Sequence, residues 1–173
     1  MAGQKKATSG EGHAARQLSH VDAAGRVTMV DVGAKAVTTR EAVAHGEIWM
    51  SAVARRLIRA GQVRKGDPLQ AARIAGIMAA KRTSDLIPLC HPLPISFAGV
   101  ELTATRKGYR IVGTVRTTGQ TGVEMEALTA VAVAALTIYD MVKAVDPAMV
   151  IGPLAVMEKR GGRSGHYRRP ARP

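Results

Sequence analysis

The chain has 173 residues, 46% hydrophobic and only 3% aromatic, which suits one domain with an aliphatic core and argues against a surface that stacks bases. A single cysteine, Cys90, rules out an internal disulfide or a multi-cysteine zinc site and fits a reducing cytosol. Of the formal net charge of +12, residues 1–17 carry +2 and residues 158–173 carry +5, leaving +5 for the body, a modest surplus of the kind that binds a small polyanion.

In chain order, residues 1–17 read as a disordered basic tail without the apolar stretch of a secretory signal. One catalytic domain is expected over 18–160, followed by a flexible basic tail over 161–173. A strand starts near Thr39 and ends in "EIWMSA"; "VARRLIRAG" is a short helix stopped by Gly61. "GDPLQAARIAGIMAAKRTSDLI" is a longer helix, with Asp67 as cap, Pro68 in the first turn and Leu69, Ala72, Gly76, Ile77 and Ala80 at helical spacing. "PLCHPLPIS" holds three prolines and must be extended and stiff. "GVELTATRKGYRIVGTVRT" alternates on both sides of Lys107-Gly108, the pattern of a hairpin. The glycine loop "TGQTG" leads into a helix over about 123–145, and "MVIGPLAVMEK" closes the domain as a strand. The order β-α-α-β-β-α-β predicts an α+β fold, helices packed on a mostly antiparallel sheet. The longest apolar run, Ala127 to Tyr139, is too short and too interrupted by Thr to span a bilayer, so a cytoplasmic protein is expected.

The end of the long helix carries Asp140 and Lys143, three residues apart and therefore on one face. An ion pair at a helix end is the ordinary reading of such a pair. Lys143 fits it, because a cation complements the C-terminal dipole, but Asp140 opposes that dipole. A charge pair emerging from a helix buried on nearly all sides points instead to a site. His91 lies between prolines beside Cys90, where the stiff backbone can hold an imidazole still for a ligand. No second His or Cys lies at ligand spacing, so no metal site is expected; Cys90 itself reads as a small buried hydrophobe. Glu124 and Glu126 complement the dipole at the helix start, and their carboxylates suit a ligand edge rich in N–H donors, such as that of guanine or a pterin. Arg40, Lys65, Arg73, Lys81, Arg82 and Lys159 are the basic candidates for phosphate oxygens, those in glycine-bearing loops most of all.

Four stretches, "HVDAAGRVTMVDVGAKAVTTREA", "ARIAGIMAAKRTSDLIPLCHPL", "TGVEMEALTAVAVAALTIYDMVKAVD" and "MVIGPLAVMEKRGGRSG", together resemble the molybdenum cofactor biosynthesis protein C family, the cyclic pyranopterin monophosphate synthases. The resemblance covers about residues 18–165. It implies a ferredoxin-like fold, a homohexamer built as a trimer of dimers, and a lyase that converts a cyclised dihydro-GTP to cyclic pyranopterin monophosphate with release of diphosphate. It implies catalytic roles for Asp140, Lys143 and Lys65. Leu89, Cys90, His91, Glu124, Met125, Glu126, Arg40, Lys81 and Lys159 are implied to bind substrate. No cofactor is implied, and a divalent metal such as magnesium travelling with the triphosphate is left open. Arg163 stands where the family often has lysine, which keeps the charge and changes the geometry.

Such a reaction needs proton transfers and an in-line displacement at phosphorus, hence an acid/base pair and cationic clamps. Closeness to Asp140 favours charged Lys143, while burial of the pair is expected to oppose it. Glu126 and Asp140 are 14 residues apart, about 21 Å along a helix at 1.5 Å per residue. A nucleotide-sized ligand does not bridge that gap, so the site is expected between two subunits. The competing readings, a nucleic-acid module and a purely structural oligomer, explain Asp140, His91 and Glu126 less economically. Neither nucleic acid nor membrane is expected as a partner.

Overall fold

The computed structural model describes residues 24–163 and 165–170. The expected N-terminal tail and the first residues of the expected domain (18–23) lie outside the described residues, as do residues 164 and 171–173 of the expected C-terminal tail. The chain divides into two units, Met1–Val30 and Asp31–Pro173. Within the first unit, residues 24–30 form a turn with Gly25 at φ +78°, then a stretch with Val27 and Met29 exposed. Every element named below belongs to the second unit.

Strand β1 spans Thr38–Trp49, its side chains alternating between the core and the opposite face. Ser51 caps helix α1 (Ala52–Arg59), its hydroxyl accepting from the Ala54 N–H at 3.2 Å, and Gly61 at φ +65° turns the chain away after it. Asp67 caps α2 (Pro68–Ala80) as expected, Oδ1 accepting from Leu69 and Gln70. The sequence reads this helix as continuing to Ile87, but it ends at Ala80 and a separate turn, α3 (Thr83–Leu86), follows. The cause is the buried Thr83, whose hydroxyl donates to the carbonyls of Ala79 and Ala80 and draws the chain out of line.

Strands β2 (Ile95–Ala104) and β3 (Gly108–Gly119) form the expected hairpin. Gly108 is required there because a Cβ would sit 1.9 Å from the Ile48 carbonyl oxygen of β1. Helix α4 runs Glu124–Val142. The closing strand is divided into β4 (Val150–Ile151) and β5 (Ala155–Arg160), both paired with β1, because the intervening Pro153 has no N–H to give to the ladder. The segment after residue 160 adds a short strand, β6 (Tyr167–Arg168), on β5.

The pairings among these strands are antiparallel, in the order β2-β3-β1-β5-β6, with β4 on β1. Strands β1, β2, β3 and β5 with helices α2 and α4 give the β-α-β-β-α-β arrangement of a ferredoxin-like α+β fold. Small residues bring α4 close to its neighbours. A Cβ on Gly113 of β3 would lie 2.9 Å from the Ala127 carbonyl oxygen, and one on Gly76 of α2 would lie 2.7 Å from that of Ala130. Ala42, Ala44, Ala127, Ala130 and Ala134 are fully buried among Ile48, Ile111, Val115 and Ile138, the aromatic-poor core that the composition demands. Each buried Val or Ile contributes about 1.5–3 kcal/mol. By length and composition alone α4 is long and apolar enough to cross a membrane, but it lies in this core, against β1, β3 and α2.

Candidate active site

Helix α4 carries candidate residues at both ends, Glu124, Met125 and Glu126 in its first turn and Asp140 in its last, with Lys143 as its C-cap. Because Glu126 and Asp140 are both helical, the rise of about 21 Å between them holds.

At the C-terminal end, Asp140 lies between two ammonium groups. Lys143 Nζ is 2.8 Å from Oδ1, and Lys65 Nζ is 2.8 Å from Oδ2. Lys65 Nζ also donates to the Asp140 carbonyl at 3.0 Å, in the last turn, where carbonyls lack intrahelical partners. Lys65 arrives from the α1–α2 loop, which turns through Gly61 and Gly66 at φ +65° and +97°. All three side chains are more than half exposed. The hydrogen bond from Lys143, followed by that from Lys65, lowers the Asp140 carboxyl to about 2, and the same contact with Asp140 raises the Lys143 ammonium. The apolar helix sequence predicts that burial opposes the charge on Lys143, but at this open helix end its effect is smaller than that of the hydrogen bond. At neutral pH the cluster is one carboxylate between two cations. It can accept an anion and deliver a proton from nitrogen.

The N-terminal end of α4 borders a cleft of about 660 Å³. Arg40 enters it from β1, Glu124 from α4 and Lys159 from β5. Lys159 Nζ pairs with Glu124 Oε1 at 2.9 Å, both about 30% exposed. Arg40 donates from Nε to the Gly119 carbonyl at 2.9 Å and from Nη2 to that of Gln120 at 3.1 Å. Glu126 is 4% exposed, and its buried Oε2 has no hydrogen-bond partner among the described residues. Burial pushes its carboxyl up, with Glu124 adding to the effect against a bond from its own backbone N–H. Burial also pushes the Cys90 thiol up, and the charge of Glu126 adds to it, so residue 90 lies in the field of that carboxylate.

The structure thus gathers Arg40, Glu124 and Lys159 around the cleft at one end, with burial and the Glu126 charge raising the Cys90 thiol, and Lys65, Asp140 and Lys143 at the other. Leu89 and His91 are half-buried, Met125 is exposed, and Lys81 is the exposed C-cap of α2; none of these four lines the cleft. Sequence reasoning missed Lys35 and Gln120. Gln120 Nε2 donates to the carbonyls of Gly33 and Lys35 at 3.0 and 3.1 Å and fastens one wall of the cleft. The signal available was a lone amide side chain inside "TGQTG", a loop otherwise of small residues. Among the described residues, no group of three or more His, Cys, Asp or Glu side chains is placed to hold a metal ion.

The MoaC family model matches residues 29–162. A protein of Chloroflexus aggregans called cyclic pyranopterin monophosphate synthase is 61% identical over 155 residues, covering 88% of this chain and 94% of its own length. Proteins of the same name from Herpetosiphon aurantiacus and Desulfitobacterium hafniense are each 57% identical. The first covers 90% of this chain and 96% of its own length, the second 87% and 93%.

Proposed function

The chain belongs to the MoaC family, and from that premise we propose how it works as a cyclic pyranopterin monophosphate synthase. The substrate is (8S)-3',8-cyclo-7,8-dihydroguanosine 5'-triphosphate, the product cyclic pyranopterin monophosphate, and the leaving group diphosphate, an early step in making the molybdenum cofactor. Lys143 is the proton donor at the ring and sugar. Asp140 is the anion that keeps Lys143 charged and orients it, and Lys65 completes the clamp. In the displacement, a sugar hydroxyl attacks the α-phosphorus and passes its proton to water, and the phosphorus–oxygen bond to diphosphate breaks. The lysine charges take up the charge that develops on oxygen.

The observation that carries this reading is the Lys65–Asp140–Lys143 cluster, held by 2.8 Å contacts at one end of α4 while the groups suited to a base edge and phosphates lie at the other. Glu126 and Glu124 accept from the N–H edge of the base, beside Leu89, Cys90, His91 and Met125. Arg40, Lys81 and Lys159 face phosphate charge. Since about 21 Å separates the two ends, each site is shared by two chains, and the protein works as a homohexamer, a trimer of dimers, in the cytoplasm. An apolar groove of about 200 Å³ beside α4, with Leu136, Ile151 and Leu154 exposed on it, supports a second copy as its occupant. The reaction needs no resident cofactor; a magnesium ion, where present, enters with the triphosphate as part of the substrate.

The test is incubation of the purified protein with the cyclised dihydro-GTP, following diphosphate release and the fluorescent oxidised pterin together. Both signals in equal amounts are expected. Neither signal from folded protein would overturn the reading.

A further inference from the structure

We propose that Arg40 is a positioning residue, whose guanidinium locks the Gly119–Gly122 loop and, through Gln120, the opposite wall of the cleft. The inference deepens the synthase reading, since it specifies how one residue of that site acts. It stands on four observations from separate parts of the chain.

First, the Nε and Nη2 N–H groups of Arg40 are already committed to two consecutive carbonyls, those of Gly119 and Gln120. A guanidinium has five N–H groups in a fixed fork, so this pairing sets the plane of the group and leaves the Nη1 edge for the cleft. Second, Nη1 lies so close to Gly162 that a Cβ there would sit 2.1 Å from it; Gly162 also has φ +73°, where a side chain is strained. The turn leaving β5 is therefore shaped to receive the guanidinium. Third, the same Gln120 whose carbonyl accepts from Arg40 sends its side-chain amide to the carbonyls of Gly33 and Lys35. One arginine thus connects β1, the β3–α4 loop, the 33–35 segment and the exit of β5. Fourth, the loop it holds delivers the first turn of α4: a Cβ on Gly122 would lie 1.9 Å from Glu124 Oε2, so the carboxylate is folded against the loop backbone. Any movement of 119–122 moves Glu124, and with it the Lys159 ammonium.

A phosphate clamp and a loop lock differ in what lysine can replace. Lysine supplies the charge but not a planar fork to two carbonyls. Amide hydrogen exchange of Arg40→Lys, Arg40→Ala and Gln120→Ala, measured on the protein without substrate, separates the two. Both Arg40 variants are expected to speed exchange over 119–127 at least about tenfold, with Lys no better than Ala. Gln120→Ala is expected to speed exchange over 33–36. In turnover, Arg40→Lys is expected to raise KM about tenfold, as much as Arg40→Ala does, because the loop it no longer holds carries Glu124 and, through it, Lys159. Wild-type exchange over 119–127 in Arg40→Lys, with KM near the wild-type value while Arg40→Ala raises it, would overturn the proposal. If the Arg40 variants do not fold, Gly162→Ala is the substitute, and unchanged exchange over 119–127 there would equally overturn it. Because exchange is read without substrate, a wild type without turnover would sink the synthase reading and leave this result standing.

Discussion

The two ends of α4 show opposite ways of placing charge. At its C-terminus, Asp140, Lys65 and Lys143 are more than half exposed and, among the described residues, pair with one another. At its N-terminus, Glu126 is buried with one oxygen lacking a partner among the described residues, while Glu124, Lys159 and Arg40 are tied to neighbours around a cleft. The first end needs little desolvation to form and is open to solvent; the proposed reading has it act when another surface covers it and water leaves. The second bears the penalty of burial in advance and is organised before any ligand arrives. On the proposed reading, a single chain presents a prepared binding end and an uncovered reacting end, which is the physical case for completing each site with a second subunit.

The largest expected effect lies at the open end. Asp140→Asn keeps the shape and removes the anion that holds both ammonium groups, and kcat is expected to fall about 10³-fold. The thermal midpoint should barely change, because exposed ion pairs add little to stability. A drop in midpoint that parallels the activity loss would make the two ends alike and break the contrast.

Lys159→Ala comes next. It removes a cation from the cleft and leaves Glu124 without its partner at 2.9 Å. A KM raised about tenfold to 100-fold, with a smaller change in kcat, is expected from losing one charged contact; steady-state kinetics would read the split.

Glu126→Gln sharpens the contrast through pH. The folded carboxyl is raised above its ordinary 4.5, burial being the main cause. As pH rises past 4.5 the unfolded chain ionises this group before the folded one does. The folded state then holds the extra proton, and stability falls with rising pH until the folded carboxyl also ionises. Urea midpoints measured across this window should decline in the wild type and flatten in Glu126→Gln. Equal slopes would show that burial at this end carries no electrostatic cost.

The smallest effect is a titration. The Asp140 carboxyl lies at about 2, chiefly through the hydrogen bond from Lys143. Lys143→Ala should raise it toward the ordinary 3.8, and by more than Lys65→Ala does, as read by carboxyl carbon chemical shifts. Asp140 favours the folded state above 3.8, and that contribution is lost as pH falls toward about 2.

Much of this was legible in the sequence because the signals were local. Asp67-Pro68 announced the start of α2, Lys107-Gly108 the hairpin, and the Asp140–Lys143 spacing a shared helix face. What escaped depended on contacts distant in sequence or on burial. The hydroxyl of Thr83 ends α2 only because it is buried against its own preceding turn, and Pro153 splits a strand whose apolar pattern runs straight through. The exposure of Asp140 was also hidden: a helix with an apolar sequence on nearly every side can still project its last turn into solvent. Arg40 was recognisable as a cation for the cleft, but its grip on two carbonyls 79 and 80 residues away was not.

The most direct test of the shared site is complementation between two inactive chains. Asp140→Ala and Glu126→Ala proteins, each inactive alone, are mixed, unfolded and refolded together, and assayed for diphosphate release. Sites formed between subunits leave one intact site in each mixed pair, so activity should return to a substantial fraction of wild type. No recovery, in mixtures shown to contain both chains in one assembly, would place the whole site on a single chain and contradict the account.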